Sequence, residues 1–174
     1  MAATYTLISS QTLGGASSSI TFSSIPSTYT DLVLRCSTRV SIAGPGSTLG
    51  LRFNGDSSTL YSFRYIEGQG SSGTATSSGA TQNAIRGFVS DANAATANTF
   101  GFIEIYIPSY TSTTNKQISI SYATENNATA SVYQGIDAGL YRNSSAISSI
   151  NLFDVNGTNF MTNSSFYLYG IKNS

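Results

Sequence analysis

In Leu49-Gly-Leu-Arg-Phe-Asn-Gly-Asp-Ser-Ser-Thr-Leu-Tyr-Ser-Phe-Arg-Tyr-Ile66 the side chains change character at every second position. Leu49, Leu51 and Phe53 share one face with Arg52 opposed, and after a break Tyr61, Phe63 and Tyr65 share another. A period of two is that of a strand, whose successive side chains point to opposite sides. The break, Asn54-Gly55-Asp56, is the strongest turn signal in the chain, because Asn and Gly tolerate left-handed backbone at little cost.

The same pattern recurs on both sides of this stretch. Asp31-Leu-Val-Leu-Arg-Cys-Ser-Thr38 puts Leu32, Leu34 and Cys36 on one face. Strands are predicted at residues 4–8, 19–22, 32–38, 49–53, 60–66, 85–89, 100–107, 117–123, 132–142, 147–153 and 166–171. Pro26, Gly44-Pro45-Gly46, Asn54-Gly55 and Pro108 punctuate them, and no window of ten or more residues carries a helical stripe. Strands without intervening helices seldom make parallel crossovers, so the expectation is an all-β antiparallel sandwich, jelly-roll-like, with about 8–11 strands. The 174 residues suit one domain spanning 1–174. Residues 68–81 are rich in Gly, Ser and Thr without a large apolar residue and read as an exposed flexible loop or arm. Residues 91–98 read as one helical turn or a loop.

Hydrophobic residues make up 40% of the chain, with 11 Tyr and 9 Phe, which is enough for a core. Charged residues supply only 9%, so the surface is built from Ser, Thr, Asn and Gly. Eight basic and eight acidic side chains cancel, leaving no long-range field to gather nucleic acid or an anionic membrane. No apolar run reaches the ~18 residues of a membrane span, and Met1-Ala-Ala-Thr4 lacks the basic start of a signal peptide. The expectation is synthesis in the cytoplasm without membrane insertion.

The chain has no His, which removes Ser-His-Asp and Cys-His catalysis together with His-containing zinc and iron sites. The single Cys36 lies on an apolar strand face and reads as a buried structural thiol. Lys116 and Lys172 read as surface charges. No catalytic, cofactor-binding or metal-binding residue is assigned. One enzymatic reading survives, because a glycosidase needs only two carboxyl groups at a suitable separation, with Glu67, Glu104, Glu125 and Asp137 as candidates. Glu104 is in phase with Phe100, Phe102 and Tyr106, and the simpler reading puts it on the outer side of its strand, paired with an Arg across the ladder. Asp91-x-Asn93 and Asn54-Gly-Asp56 have oxygens that suit Ca²⁺, but turn formation explains both better. Tyr61, Phe63, Tyr65, Tyr167 and Tyr169 are candidate aromatics for a glycan platform or a subunit interface, in competition with plain core packing.

Ser23-Ser-Ile-Pro-Ser-Thr-Tyr-Thr-Asp-Leu32, Leu51-Arg-Phe-Asn-Gly-Asp56, Asn98-Thr-Phe-Gly101, Ile107-Pro-Ser-Tyr110 and Ser165-Phe-Tyr-Leu-Tyr-Gly-Ile171 follow one another in an order that resembles small β-sandwich virion proteins of tailed bacteriophages, especially marine and cyanobacterial ones. The resemblance implies a structural part of the virion, made in the host cytoplasm and without enzymatic activity. Two placements follow from it. One is a capsid decoration or cement protein that binds the major capsid protein or other virion proteins as a homo-oligomer, with a trimer favoured. The other is a receptor-binding tip of a tail or head fibre that contacts a host surface glycan.

Overall fold

A computed structural model describes residues 4–70, 74–127 and 132–172. Twelve strands and no helix occur among them: β1 (Thr4–Thr12), β2 (Ser19–Phe22), β3 (Asp31–Thr38), β4 (Gly46–Phe53), β5 (Tyr61–Gln69), β6 (Thr74–Gln82), β7 (Ile85–Asp91), β8 (Gly101–Ile107), β9 (Lys116–Ala123), β10 (Tyr133–Tyr141), β11 (Ile150–Asp154) and β12 (Ser165–Lys172). They form an eight-stranded sheet, β1-β12-β3-β8-β9-β10-β5-β6, and a four-stranded sheet, β2-β11-β4-β7, antiparallel throughout. When β1, β12 and the β9–β10 hairpin are set aside, the sheets read β2-β11-β4-β7 and β3-β8-β5-β6. That is the strand order of an eight-stranded jelly roll. The extra hairpin lies between β8 and β5, and β12 and β1 extend the opposite side.

Alternation along each strand divides the large sheet into two faces. One cross-strand row on the inner face runs Leu168, Leu34, Ile105 and Ile120, then Asp137 and Tyr65. The next runs Phe166, Cys36, Ile103 and Tyr122, then Gly135 and Glu67. The aliphatic ends of these rows pack on Ile20, Leu49, Leu51, Phe53 and Leu152 of the small sheet to make the core. Cys36 is buried there as a free thiol, and burial pushes its pKa up.

Asn54 and Gly55 both take positive φ, 55° and 67°, as their types suggest. The turn joins no hairpin, however, because β4 and β5 belong to different sheets. It is a corner of the sandwich, fixed by the Asn54 side chain, whose Oδ1 accepts the Ser148 amide at 2.8 Å.

Two expectations are corrected. Of the expected loop or arm at 68–81, residues 74–81 belong to β6, a largely exposed edge strand paired along β5; residues 71–73 lie outside the described residues. Backbone hydrogen bonds to β5 hold this segment in place of the apolar alternation it lacks. Lys116 is buried, not a surface charge: its Nζ donates to the carbonyls of Ser112 at 2.8 Å and Thr114 at 2.6 Å, which close the turn before β9. Of residues 91–98, Asp91 ends β7 and 92–98 form a loop rather than a helical turn. The buried Arg39 holds it by donating to the carbonyls of Thr96 at 2.8 Å, Ala95 at 2.9 Å, Thr99 at 3.0 Å and Asn93 at 3.2 Å.

Candidate functional site

Seven large apolar side chains are exposed among the described residues: Tyr5, Leu7, Ile66, Phe102, Tyr106, Ile136 and Tyr167. All seven lie on the outer face of the eight-stranded sheet. The pairing shows this directly, since Leu7, Tyr169, Val33 and Tyr106 form one cross-strand row and Tyr167, Arg35, Glu104, Ser121, Ile136 and Ile66 the next. Monomeric domains scatter such residues, whereas a gathering on one face marks a surface that something covers.

The two ends of this face differ. At the β1–β12–β3–β8 end, Arg35 Nε donates to Glu104 Oε2 at 2.7 Å, the cross-ladder pair that strand phase suggested for Glu104. Tyr rings surround it. The Arg35 guanidinium lies 5.1 Å from the Tyr5 ring centre and 6.0 Å from that of Tyr169, and Tyr5 meets Tyr169 edge to face. Tyr106 Oη donates to Asp31 Oδ2 at 2.9 Å, so its ring is fixed on this surface. At the β10–β5–β6 end, Ile66 and Ile136 border an open groove of about 660 Å³ that Arg64, Thr76, Ser78 and Ser119 also line.

The five aromatics singled out from sequence divide between positions that cannot act together. Tyr167 and Tyr169 are on the outer face. Phe63 and Tyr65 are on the inner face, half-buried and stacked with ring centres 6.3 Å apart. Tyr61 is removed from the set: it is fully buried, stacks on Tyr141 at 4.7 Å, accepts the Phe53 amide at 3.0 Å and donates to the Asp56 carbonyl at 3.0 Å. Burial pushes its hydroxyl up to about 12. Sequence reading did not single out Tyr5, Leu7, Ile66 or Ile136; the only available signal was their alternation, which does not tell an outward face from an inward one.

Among the four candidate carboxylates, only Glu67 and Asp137 come together, on the inner face of β5 and β10. Both are buried, and Glu67 Oε2 accepts the Tyr122 hydroxyl at 2.7 Å. Neither Asp137 oxygen has a hydrogen-bond partner. Desolvation, reinforced by the neighbouring Glu67, lifts its pKa to about 8. A raised carboxyl beside a second one is what a general acid requires. The space alongside Glu67 is only about 100 Å³, room for a few waters at ~30 Å³ each. Glu125 stands apart in a loop and accepts the Asn127 amide. Of the two Ca²⁺ readings, Asp56 accepts from Ser58 within its own turn and from Tyr141, whereas Asp91, at the end of β7, accepts from Asn126 through Oδ1 while its buried Oδ2 has no hydrogen-bond partner.

Comparison with protein-family models, curated proteins and solved structures gives no match.

Proposed function

We propose that this chain is a non-catalytic structural component of a bacteriophage virion, a decoration or cement protein that acts as a homo-oligomer on the capsid. The observation that carries this reading is the confinement of all seven large apolar side chains exposed among the described residues to the outer face of the eight-stranded sheet. Such a face suits a protein covered by its neighbours in an assembly. The carboxyl arrangement agrees with this reading, because Glu67 and Asp137, the one pair that comes together among the four candidates, are buried between the sheets and neither Asp137 oxygen meets solvent. The resemblance of the ordered motifs to small phage virion proteins supplies the context.

Quantitative mass spectrometry or cryo-EM of purified particles tests the proposal. Several hundred copies per virion supports a shell protein, and deletion should leave capsids that assemble but break more readily on heating or loss of salt. Absence from particles, or unchanged capsid stability, would overturn it.

The cluster of Tyr5, Tyr167 and Tyr169 around Arg35 favours a second reading, a glycan-binding fibre tip, since exposed Tyr rings stack on sugars. About a dozen copies per particle together with glycan-array binding would select it over the cement role.

A further inference from the structure

The two sheets have four edges, and three carry a device that blocks pairing with another chain. β2 has only four residues. β7 bears Arg86, its pairing with β4 shifts register between Thr48 and Gly50, Gly87 is at φ 131°, and the carbonyl of its last residue, Asp91, already accepts the Val40 amide at 2.9 Å. β6, with sequence TATSSGATQ, has no large side chain for a partner to pack on. β1 differs. Its sequence, TYTLISSQT, has no charge and no Pro, it is almost wholly exposed on both faces, and its first half, Thr4–Leu7, consists of good strand formers paired with β12 in regular register, the register shift of this strand lying beyond that half, between Leu7 and Ser9. Tyr5 and Leu7 stand on its outer side, 48% and 52% exposed, continuous with the Tyr106, Tyr167 and Tyr169 surface.

We infer that the β1 edge at Tyr5–Leu7 is a self-association site, where a second copy of this chain adds its own β1 antiparallel across a twofold axis. With the axis at Thr6, Tyr5 of each copy faces Leu7 of the other, and both exposed side chains enter two equivalent aromatic–aliphatic pairs. The two large sheets then form one continuous sheet with a shared outer face. A formal net charge of zero leaves no long-range repulsion between copies, and Arg35 near this edge is already neutralised by Glu104. The occupant is a second copy because an uncharged edge with one aromatic and one aliphatic anchor two residues apart complements itself. This inference stands independently of the virion reading, which copy number in particles tests separately.

The test is sedimentation equilibrium of the full chain from micromolar to submillimolar concentration, with far-UV circular dichroism and thermal melting as folding controls. A concentration-dependent dimer is expected. Leu7→Lys and Tyr5→Lys should each weaken it by about tenfold or more, because each puts a charge on both sides of the axis, while leaving the fold intact. Ser77→Lys, on the exposed β6 edge, should leave the dimer unchanged. Amide exchange at Tyr5–Leu7 should slow as concentration rises. A monomer at every concentration, a trimer, or a dimer broken by Ser77→Lys and indifferent to Leu7→Lys would each overturn the inference.

Discussion

Gly87 lies so close to Asp137 that a Cβ at position 87 would come within 2.7 Å of the Asp137 Oδ2, and equally close to the Tyr65 ring. Gly87 also has φ 131°, a backbone conformation that side-chain-bearing residues rarely adopt. The β7 backbone therefore closes over the buried carboxyl, and only glycine permits it.

Gly87→Ala should cost about 3 kcal/mol or more, since it combines backbone strain with overpacking against the Asp137 carboxyl and the Tyr65 ring. Gly157→Ala is the control: φ is 73° but no atom lies within 4 Å of the added Cβ, so only the left-handed penalty of about 1 kcal/mol applies. Urea denaturation of both variants measures the difference. Equal costs would mean that β7 does not press on Asp137.

The buried Asp137 gives stability an unusual pH dependence. Its pKa stands near 8 in the folded chain, against 3.8 for an ordinary aspartate. Below about pH 4 both folded and unfolded chains hold the proton; between about 4 and 8 only the folded chain does. This residue therefore makes stability fall as pH rises through that window, by an amount on the order of several kcal/mol, and adds no further change above it. Asp137→Asn removes the titration. The melting temperature of the variant minus that of the parent should rise by about 5 °C or more between pH 5 and 8.5. A flat difference would show that the carboxyl titrates normally.

Cys36 is 4% exposed, and burial raises its thiol well above the range in which a reactive thiolate forms. Native protein should therefore react with a disulfide reagent such as dithionitrobenzoate only as fast as it unfolds, and one thiol per chain should appear at once in denaturant. Rapid labelling of the native chain would contradict this burial.

The differences between sequence and structure have definite physical origins. Alternation located the strands of Leu32–Cys36 and Leu49–Phe53 because both faces of each are distinguished by chemistry, and phase suggested that Glu104 pairs with an Arg across the ladder, which register makes Arg35. β6 was hidden because pairing with β5, a non-local property, makes Gly, Ser and Thr residues a strand. Tyr61, Phe63 and Tyr65 do share a face, but whether that face meets solvent or the second sheet depends on how far the small sheet extends. The burial of Glu67 and Asp137 was illegible for the same reason: they continue rows whose other members are apolar, and those rows exist only after four or more strands have paired.

Arg39 was not singled out by any motif, yet it orders the 91–99 loop. Its guanidinium reaches four carbonyls and the Thr99 hydroxyl, and Asp91, whose carboxyl feels the Arg39 charge, accepts its hydrogen bond from Asn126. Lysine retains the charge but presents three donors from a single point, which cannot span carbonyls spread over residues 93–99. Arg39→Lys should therefore lose about 3 kcal/mol, most of it from buried carbonyls left without partners. Hydrogen exchange at amides 93–99 should accelerate more than exchange in β3 and β8, because the loop has no apolar core of its own. If Arg39→Lys kept parental stability and loop protection, the loop would have to be held by its backbone alone, through the Ala92, Asn93 and Ala94 amides on the carbonyls of Pro45, Ile42 and Gly44 and the turns from Ala95 to Ala92 and Thr99 to Thr96.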